Sequence, residues 1–454
     1  MEYLLYFFFF LSILFPIIHS IHCFRSFKKE EHHTGDGDLE YEEKGMSILI
    51  PCYNEQRILD TAINSIKELS YSNLEVIFIN DGSKDTTLNY FDFLLQLKPS
   101  AKKPIKKLSH EKVKNCYQSE LYPNVFVIDK ENGGKADALN AGIEYSSKQL
   151  VITLDADTIV TNKALAAVNR KFHDENVVAA GGVVHVLQTK VEEPMHGLSL
   201  RKAKMLVRAQ ALDFLRAFYI NKISLAGFNA LGVISGAFGI FTKKALIDVG
   251  GYRATIGEDI DITLKMHKYI EKDKKRKVAL IPDAVGFTEL PETWGDLFKQ
   301  RVRWQKAFVD CFIHYGPFLF KTFFKKPVSF FYIVEGFVSG TLAVYVMTGA
   351  VLIDFFNGHF FSLTFLVYYV VYIFLLGYVY DELAIEMSEK HGFFFQEKED
   401  VILAFVIFFD IFIYRFIIMT AIIYGTVAYF INNKNWNKVE RTGRDYTTST
   451  EHAA

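Results

Sequence analysis

The chain has 454 residues, a formal net charge of −1 and a hydrophobic content of 50%, with 43 Phe and 24 Tyr. This length exceeds that of one ordinary domain, so we expect more than one. The near-zero charge says little about partners, and we expect no nucleic acid among them. The four cysteines are widely spaced, which excludes paired or metal-ligand spacing and suits a reducing cytosol.

The first apolar run, Leu4 to Phe24, is long enough to span a bilayer at ~20 residues. The alternative is a cleaved signal peptide, but the run lacks a basic leader and a small-residue cleavage site. We therefore predict a membrane anchor. Arg25, Lys28 and Lys29 follow directly, and the positive-inside rule then places the next domain in the cytosol.

Four short runs rich in β-formers follow the anchor: "MSILIPCY", "LEVIFIN", "NVFVID" and "QLVITLDAD". Helical stretches such as "EQRILDTAINSIKEL" and "KADALNAGIEYSS" lie between them. This alternation predicts a parallel α/β sheet with both faces covered. In such sheets ligands bind at the carboxyl ends of the strands.

Polar residues follow each of these four predicted strands. They are Asn54 and Glu55, Asp81, Lys135, and Asp155 with Asp157. Each residue alone also suits a turn or a helix cap. Four polar strand ends in succession favour one shared pocket.

The sequence "GGKA" resembles part of a phosphate-binding P-loop but lacks its glycine spacing and the Ser or Thr after the lysine. We reject that interpretation and keep Lys135 as a single phosphate or structural contact. "LDAD" is more specific, because Asp155 and Asp157 offer hard oxygens at a strand end. Such a pair can hold Mg²⁺ or Mn²⁺ against a diphosphate.

Further on, "IGEDIDITLKMHK" groups Glu258, Asp259 and Asp261. Crowded carboxylates raise one another's pKa, which suits a general base facing a reacting hydroxyl. Acidic residues also suit the first turn of a helix. We expect Asp261 to serve as the cap.

The stretch "FKQRVRWQKAF" predicts a helix with Gln300, Arg303, Trp304 and Ala307 on one side. Arginine forks suit a pyrophosphate, and an indole offers a face for a sugar ring. The alternative is an interfacial helix with arginine at lipid headgroups, and it stays open for Arg301.

Two membrane-length runs, Val328 to Ile353 and Phe360 to Tyr380, predict a hairpin that enters from the cytosol. A third run, Val401 to Ile431, is too long for one upright span and short for two. It contains Asp410 and Arg415, so the number of spans and the side of the basic tail stay open.

Six lysines lie between two predicted elements: Lys102, Lys103, Lys106, Lys107, Lys112 and Lys114. Blocks of like charge are usually solvated and disordered. We therefore predict a solvated loop in preference to a contact with anionic lipid.

The motifs "DGS", "DAD", "GED" and "QRVRW", in this order and between membrane segments, resemble those of family 2 glycosyltransferases of the GT-A fold. Within that family the chain is most similar to the membrane-embedded processive β-glycan synthases: the poly-N-acetylglucosamine, hyaluronan, chitin and cellulose synthases. The resemblance covers Met46 to Ala307 by motif. It implies a Rossmann-like, mostly parallel cytosolic domain with transmembrane helices at both ends.

The resemblance also implies residue roles. Tyr53, Glu55, Asp81, Lys135, Asp155 and Arg303 would bind the UDP-sugar donor, with Asp155 and Asp157 at the metal. Asp259, with Glu258 beside it, would take the proton from the acceptor hydroxyl, so that the anomeric centre inverts. Gln300 and Trp304 would bind the acceptor.

The predicted organisation, in chain order, is an anchor at 1–24, a polar linker at 25–45, a transferase domain at 46–290, the QRVRW and interfacial helices at 291–327, a membrane region at 328–431 and a basic tail at 432–454. The expected function is inverting transfer of N-acetylglucosamine from its UDP donor to a growing β-linked polysaccharide, with Mg²⁺ or Mn²⁺. The expected location is the cytosolic face of the cell membrane, in a multi-pass protein with lipid contacts and with export or accessory partners. Transfer of a few sugars to a lipid acceptor, or a catalytically silent scaffold, are the alternatives.

Overall fold

The computed structural model describes residues 2–31, 41–191, 197–357, 363–395 and 399–431. Two compact units alternate along the chain. The sheet unit is formed by Asp38–Leu187 and Val233–Glu289, and the helical unit by Met1–Gly37, Gln188–Gly232 and Leu290–Glu440. The segment Gln188–Gly232 lies within the predicted transferase domain at 46–290, but in the structure it belongs to the helical unit.

The strands of the described residues are, in chain order, β1 (Met46–Cys52), β2 (Leu74–Asp81), β3 (Leu97–Pro99), β4 (Val113–Ser119), β5 (Val125–Lys130), β6 (Leu150–Leu154), β7 (Ile159–Val160), β8 (Val177–Val186), β9 (Gly197–Leu198), β10 (Phe238–Thr242), β11 (Lys277–Thr288) and β12 (Phe394–Phe395).

The α-helices of the described residues are α1 (Glu2–Glu31), α2 (Leu59–Lys67), α3 (Thr87–Leu95), α4 (Lys135–Tyr145), α5 (Asn162–Phe172), α6 (Met205–Leu215), α7 (Ile223–Gly227), α8 (Lys243–Asp248), α9 (Glu258–Tyr269), α10 (Trp294–Lys321), α11 (Pro327–Phe330), α12 (Ala343–Phe356), α13 (Leu363–Lys390), α14 (Asp400–Phe409) and α15 (Arg415–Ile431). Three π-helical segments, Arg216–Lys222, Phe331–Leu342 and Asp410–Tyr414, interrupt or join them.

The sheet unit is built on ten strands in the order β3-β4-β5-β2-β1-β6-β10-β8-β11-β7. Strands β5, β2, β1 and β6 are parallel neighbours, and Asp81 in β2 lies opposite Lys130 in β5. The buried residues of β2 form an unbroken run, as expected of a strand covered on both faces. The predicted α/β sheet is confirmed, and the four polar strand ends meet at one edge.

The strand order reverses at β1, where the chain leaves β5 and returns on the other side as β6. The crevice outside such a switch point is where open α/β sheets bind ligands. Helix α4 approaches this part of the sheet closely, because a Cβ at Gly142 would lie 3.0 Å from Leu49 and 3.1 Å from Ile79. This close packing fixes the start of α4, where Lys135 lies, above the strand ends.

The lysine-rich segment is tied to the sheet unit by buried carboxylates. Glu144, which is buried, accepts hydrogen bonds from the backbone N–H groups of Lys106, Lys107 and Leu108. The Lys102 ammonium donates to Glu75, also a buried residue. The prediction of a solvated loop is therefore wrong for Lys102, because acidic partners about 30 to 40 residues away give no local signal in the sequence.

His185 lies on β8 and is buried beside Phe287, with ring centroids 5.7 Å apart. Burial lowers the pKa of this imidazole to about 3. Because the unfolded chain binds a proton near pH 6.5 and the folded chain does not, stability falls as the pH drops below that value. The loss reaches about 2 kcal/mol at pH 5.

We expect His185→Gln to flatten the loss of stability between pH 7 and pH 5, because the amide does not titrate in this range. Thermal unfolding of the detergent-solubilised protein at both pH values measures this effect. His110→Gln, at a histidine that bonds the carbonyl of Glu111 on the surface, is the control and should leave the slope unchanged. A His185→Gln protein with the wild-type slope would contradict the prediction.

Helix α1 packs into the helical unit through one face. Its buried residues recur at helical spacing: Phe8, Leu11, Phe15, His19 and Cys23. His19 bonds Ser224 Oγ at 2.9 Å and Glu335 Oε1 at 2.8 Å. The helix runs on to Glu31, beyond the predicted end of the anchor at residue 24. These polar and apolar contacts hold α1 against other helices of the helical unit, as expected of a membrane anchor.

Three described helical stretches are long and apolar enough to cross a membrane: Tyr6–Phe27, Pro327–Ile353 and Asp400–Ile431. The prediction of membrane helices at the N-terminus and in the C-terminal region is confirmed. The third stretch is one continuous run of 32 residues with a π-helical turn in its middle. The predicted run Phe360 to Tyr380 begins outside the described residues and continues in α13, and the predicted tail at 432–454 lies outside them entirely.

The charges inside the third stretch belong to a buried ionic network in the helical unit. Arg216 contacts Asp410 at 2.9 and 3.1 Å and Asp381 at 2.5 Å. Arg415 contacts Asp410 at 2.9 Å from the same helical run. Breaking a buried pair of this kind costs about 3–5 kcal/mol, since it leaves an unpaired charge. The network joins π-helical segments to α13 and α15, and it explains why Asp410 and Arg415 are tolerated there.

Candidate active site

Asp81, at the end of β2, organises the loop that leads into α4. Its buried carboxylate accepts from Lys130 Nζ at 2.6 Å and from the backbone N–H groups of Gly133 and Gly134 at 3.0 and 2.8 Å. Asn132 Nδ2 donates to it at 3.1 Å. These four donors hold the "NGGK" loop against the strand end. The predicted contact of Asp81 with the donor stays a prediction.

The turn after β1 contains the predicted residues Tyr53 and Glu55 on either side of Asn54. Asn54 has a positive φ of 55°, a conformation that asparagine adopts more readily than most residues. Its side chain accepts from the backbone N–H of Lys84 at 2.8 Å, and the N–H of Glu55 donates to Thr87 Oγ1 at 3.1 Å. The turn is thereby fastened to the loop after β2.

Lys135 joins the two acidic motifs of the sheet unit. Its ammonium lies 2.7 Å from Asp155 Oδ1 and 3.0 Å from Glu258 Oε1. Burial alone would lower the pKa of Lys135, but the carboxylates of Asp155, Glu258 and Asp259 together raise it above its ordinary value. Lys135 is therefore a cation at neutral pH. The structure brings three of the predicted residues, Lys135, Asp155 and Glu258, into direct contact.

A small pocket beside this cluster contains Asp259 in its wall. The lining combines charged, polar and apolar residues, among them Lys135, Glu258, Asp259, Ser235, Gly236 and Tyr252. Gly236 leaves room for the ammonium, because a Cβ there would lie 2.9 Å from Lys135 Nζ. The predicted base and the bridging lysine thus face the same space.

Helix α9 begins at Glu258, so the acidic motif forms its first turn. Asp261 does not cap this helix, and the prediction that it would is wrong. Its buried carboxylate lies 2.6 Å from Arg253 Nε and 3.7 Å from Lys265 Nζ. Residues two positions apart on α9 are about 200° apart around the helix axis. The structural carboxylate of Asp261 and the pocket-lining Asp259 therefore lie on nearly opposite sides of the helix.

Asp157, the second carboxylate of "LDAD", is oriented by threonines. Thr288 Oγ1, at the end of β11, donates to Asp157 Oδ1 at 3.2 Å. Thr158 Oγ1 in turn donates to Thr288 Oγ1 at 3.2 Å. No local sequence pattern predicts that Thr288 orients Asp157, because the two residues are 131 positions apart.

The carboxylates fit a divalent cation that is completed by a ligand. Within the described residues, no group of three or more His, Cys, Asp or Glu side chains could hold a metal alone. Asp155 and Asp157 nevertheless follow β6 directly and are both partly exposed. Mg²⁺ is commonly bound by one or two carboxylates together with substrate phosphates, which is the arrangement these two residues offer.

The QRVRW stretch lies in α10 of the helical unit. Trp304 is 39% exposed, whereas Ala307 is buried, so the predicted common side is only partly open. Gln300 Oε1 is buried without a hydrogen-bond partner among the described residues. A buried acceptor without a donor is costly, which makes this oxygen a candidate contact for a ligand hydroxyl.

Arg301, in contrast, is held inside the helical unit. Its Nη2 lies 3.0 Å from Asp213 Oδ2 and donates to Tyr414 Oη at 2.7 Å. Its guanidinium carbon lies 4.2 Å from the centre of the Trp304 ring. These contacts argue against the interfacial alternative for Arg301. Asp213 and Tyr414 lie far from Arg301 along the chain, so no local pattern predicts either contact.

The comparisons with known proteins agree with this architecture. The model of "Glycosyl transferase family 2" matches residues 47–250, and that of "Glycosyl transferase family group 2" matches residues 150–381, more than half of the chain. The chain belongs to glycosyl transferase family group 2. The predicted family is thereby confirmed.

Two bacterial relatives share 30% identity with this chain. The poly-β-1,6-N-acetyl-D-glucosamine synthase of Staphylococcus aureus (strain COL) matches over 273 residues, which are 60% of this chain and 56% of that protein. The enzyme of the same name from Staphylococcus epidermidis matches over 310 residues, 67% of this chain and 65% of that protein. The match therefore spans between about half and two thirds of these relatives.

The fold also resembles a solved structure. A mannosyltransferase from Pyrobaculum calidifontis, solved in complex with GDP-Man and Mn²⁺, superimposes with a TM-score of 0.52 at 15% sequence identity. The superposition covers 94% of this chain and 99% of that one. At this identity the likeness supports the fold alone, and the predicted GT-A fold is confirmed.

Proposed function

We propose that this protein is an inverting, metal-dependent glycosyltransferase that moves N-acetylglucosamine from its UDP donor to the non-reducing end of a β-linked polysaccharide. The observation that carries the proposal is the Lys135 bridge between Asp155 and Glu258, with Asp259 in the wall of the same pocket. The choice of sugar rests on the two staphylococcal relatives.

The chemistry requires a base on the acceptor side and positive charge on the leaving side. Asp259 lies in the first turn of α9, where its carboxylate would accept the proton of the attacking hydroxyl. The partly buried ammonium of Lys135 would offset the charge of the nucleotide diphosphate beside Asp155. A divalent cation held by Asp155 and Asp157 would add charge neutralisation there, and the mannosyltransferase of the same fold was solved with Mn²⁺.

The remaining roles follow from the family resemblance. Tyr53, Glu55 and Asp81 would contact the nucleotide, and Arg303 the diphosphate. Gln300 and Trp304 would bind the acceptor glycan, through the buried Oε1 of Gln300 and the exposed part of the indole. The membrane helices would hold the protein as a multi-pass enzyme of the cell membrane, with its active site in the cytosol.

The experiment uses membranes that contain the protein, labelled UDP-N-acetylglucosamine, and Mg²⁺ or Mn²⁺. We expect large labelled material, degraded by an enzyme specific for N-acetylglucosamine polymers. Small labelled product that extracts into organic solvent would move the assignment to a lipid acceptor. Failure to transfer from any UDP-sugar would overturn the proposal and favour a scaffold.

We expect Gly236→Ala to lower turnover without unfolding the protein. The added Cβ would lie 2.9 Å from Lys135 Nζ, so it would push the ammonium away from Asp155 and Glu258. Only the end of a flexible side chain must move, so the melting temperature should stay close to that of the wild type. Misplacement of this charge should reduce catalytic efficiency by ~10-fold or more.

The matched control is Gly349→Ala, since a Cβ there meets no atom within 4 Å. Its activity and melting temperature should equal those of the wild type. Full activity of Gly236→Ala would show that the position of Lys135 is unimportant to turnover.

A further inference from the structure

Trp304 is held by a group of three residues, which we call the indole clamp: Asp213, Arg301 and Tyr414. The guanidinium carbon of Arg301 lies 4.2 Å from the centre of the Trp304 ring, and its Nη2 reaches Asp213 at 3.0 Å and Tyr414 Oη at 2.7 Å. Tyr414 Oη also donates to Asp213 Oδ2 at 3.3 Å. The three side chains therefore close a hydrogen-bonded ring behind one face of the indole.

Arg301 and Tyr414 are largely removed from solvent, whereas Asp213 and Trp304 are partly exposed. The side chain of Arg301 is 10% exposed, and Tyr414 is buried. Trp304 keeps 39% of its surface exposed. A cation over one face of an aromatic ring leaves the other face available to a second flat partner. The exposed part of Trp304 is therefore preorganised by groups that no solvent or ligand needs to displace.

The clamp is continuous with the ionic network of Arg216. Asp213 Oδ1 lies 3.5 Å from Arg216 Nη2, and Arg216 is in turn fixed by Asp381 and Asp410. The three arginines Arg216, Arg301 and Arg415 balance the three aspartates Asp213, Asp381 and Asp410. A movement of Asp213 away from Arg301 would therefore also disturb its contact with Arg216, which is part of a largely buried set of charges.

We propose that the indole clamp positions Trp304 for the acceptor glycan, so that Asp213, Arg301 and Tyr414 set acceptor affinity and product length without touching the reacting atoms. This inference rests on the proposed function, in which Trp304 binds the acceptor. A pyranose ring stacks on an indole only within a narrow range of orientations, and preorganisation lowers the entropy lost on binding. Arg301 has too many rotatable bonds to supply that order unless its fork is itself fixed.

The test compares Tyr414→Phe and Asp213→Asn with the wild type, using labelled UDP-N-acetylglucosamine and an N-acetylglucosamine oligosaccharide as added acceptor. We expect the acceptor KM to rise about 10-fold in Asp213→Asn and about 3-fold in Tyr414→Phe, with donor KM and kcat within about 2-fold. Product chains should shorten in the same order. Asp213→Glu, which keeps the charge, should recover much of the loss.

A second readout follows the indole itself. The chain has three tryptophans, so a Trp294→Phe, Trp436→Phe background leaves Trp304 as the sole reporter. We expect acrylamide to quench its fluorescence more strongly when Tyr414→Phe or Asp213→Asn is added. Lys299→Ala is the control, because Lys299 lies on the same helix in an exposed pair with Asp296. It should leave both readouts unchanged.

The outcomes separate the inference from the function on which it rests. A wild-type protein without transfer from any UDP-sugar would overturn the proposed function, whatever the quenching shows. Wild-type transfer with an unchanged acceptor KM in both clamp variants would overturn the clamp alone. Equal rises in donor and acceptor KM would also contradict it, because a general loss of packing would not single out the acceptor. Tyr414→Phe keeps the aromatic ring, so it serves if Asp213→Asn fails to fold.

Discussion

The Asp259→Asn protein is expected to lose about 10³-fold in turnover while binding the UDP-sugar almost as well as the wild type. A general base contributes about 10²–10⁴-fold, and an amide cannot take the proton of the acceptor hydroxyl. Asp259 lines the same pocket as Lys135, whose ammonium lies within 3.0 Å of Asp155 and Glu258 on its donor side. The substitution should therefore spare the donor side.

Initial rates at saturating donor, together with the affinity for UDP, measure this effect. Asp248→Asn is the control, because Asp248 pairs with Lys244 at the surface. Asp261→Asn gives an informative contrast on the same helix, since it breaks a buried pair with Arg253 and should cost about 3 kcal/mol of stability. If Asp259→Asn turned over at the wild-type rate, the base would have to be another residue.

The sequence predicted the parts of this molecule that depend on short-range pattern. Apolar runs located β1, β2, β5 and β6, and each ended where polar residues began. Parallel pairing then brought those ends together without any further information, because the carboxyl ends of parallel strands share one edge. The contact of Lys135 with Asp155 is a consequence of that rule.

Contacts between residues distant along the chain could not be read in this way. Even a partner at moderate distance was missed: Asp261 was predicted to cap its helix, whereas its carboxylate pairs with Arg253, eight positions earlier. The interfacial alternative stayed open for Arg301 because its partner Tyr414 is 113 positions away. Nor does any periodicity show that Gln188–Gly232 joins the helical unit. The positions of these residues depend on burial and charge pairing, which follow no fixed spacing along the chain.

The other large expected effect is a loss of metal affinity in Asp157→Asn. On the proposed function, Asp157 and Asp155 would hold the divalent cation that accompanies the nucleotide diphosphate. Removing one of only two protein carboxylates should raise the metal concentration for half-maximal activity by ~100-fold or more. Titration of Mg²⁺ and Mn²⁺ at fixed donor measures this change, and Asp174→Asn, at a surface pair with Lys277, is the control.

A variant at Thr288, which bonds Asp157, should show a smaller loss of metal affinity than Asp157→Asn. Thr288 donates to Asp157 Oδ1 at 3.2 Å, so Thr288→Val keeps the carboxylate but frees its orientation. Loss of such an orienting bond typically weakens metal binding 10-fold to 100-fold, and we expect about 10-fold here. The order Asp157→Asn, Thr288→Val, wild type should therefore appear in the metal titration and not in the acceptor KM. Equal metal requirements in all three proteins would mean that Asp157 does not bind the cation.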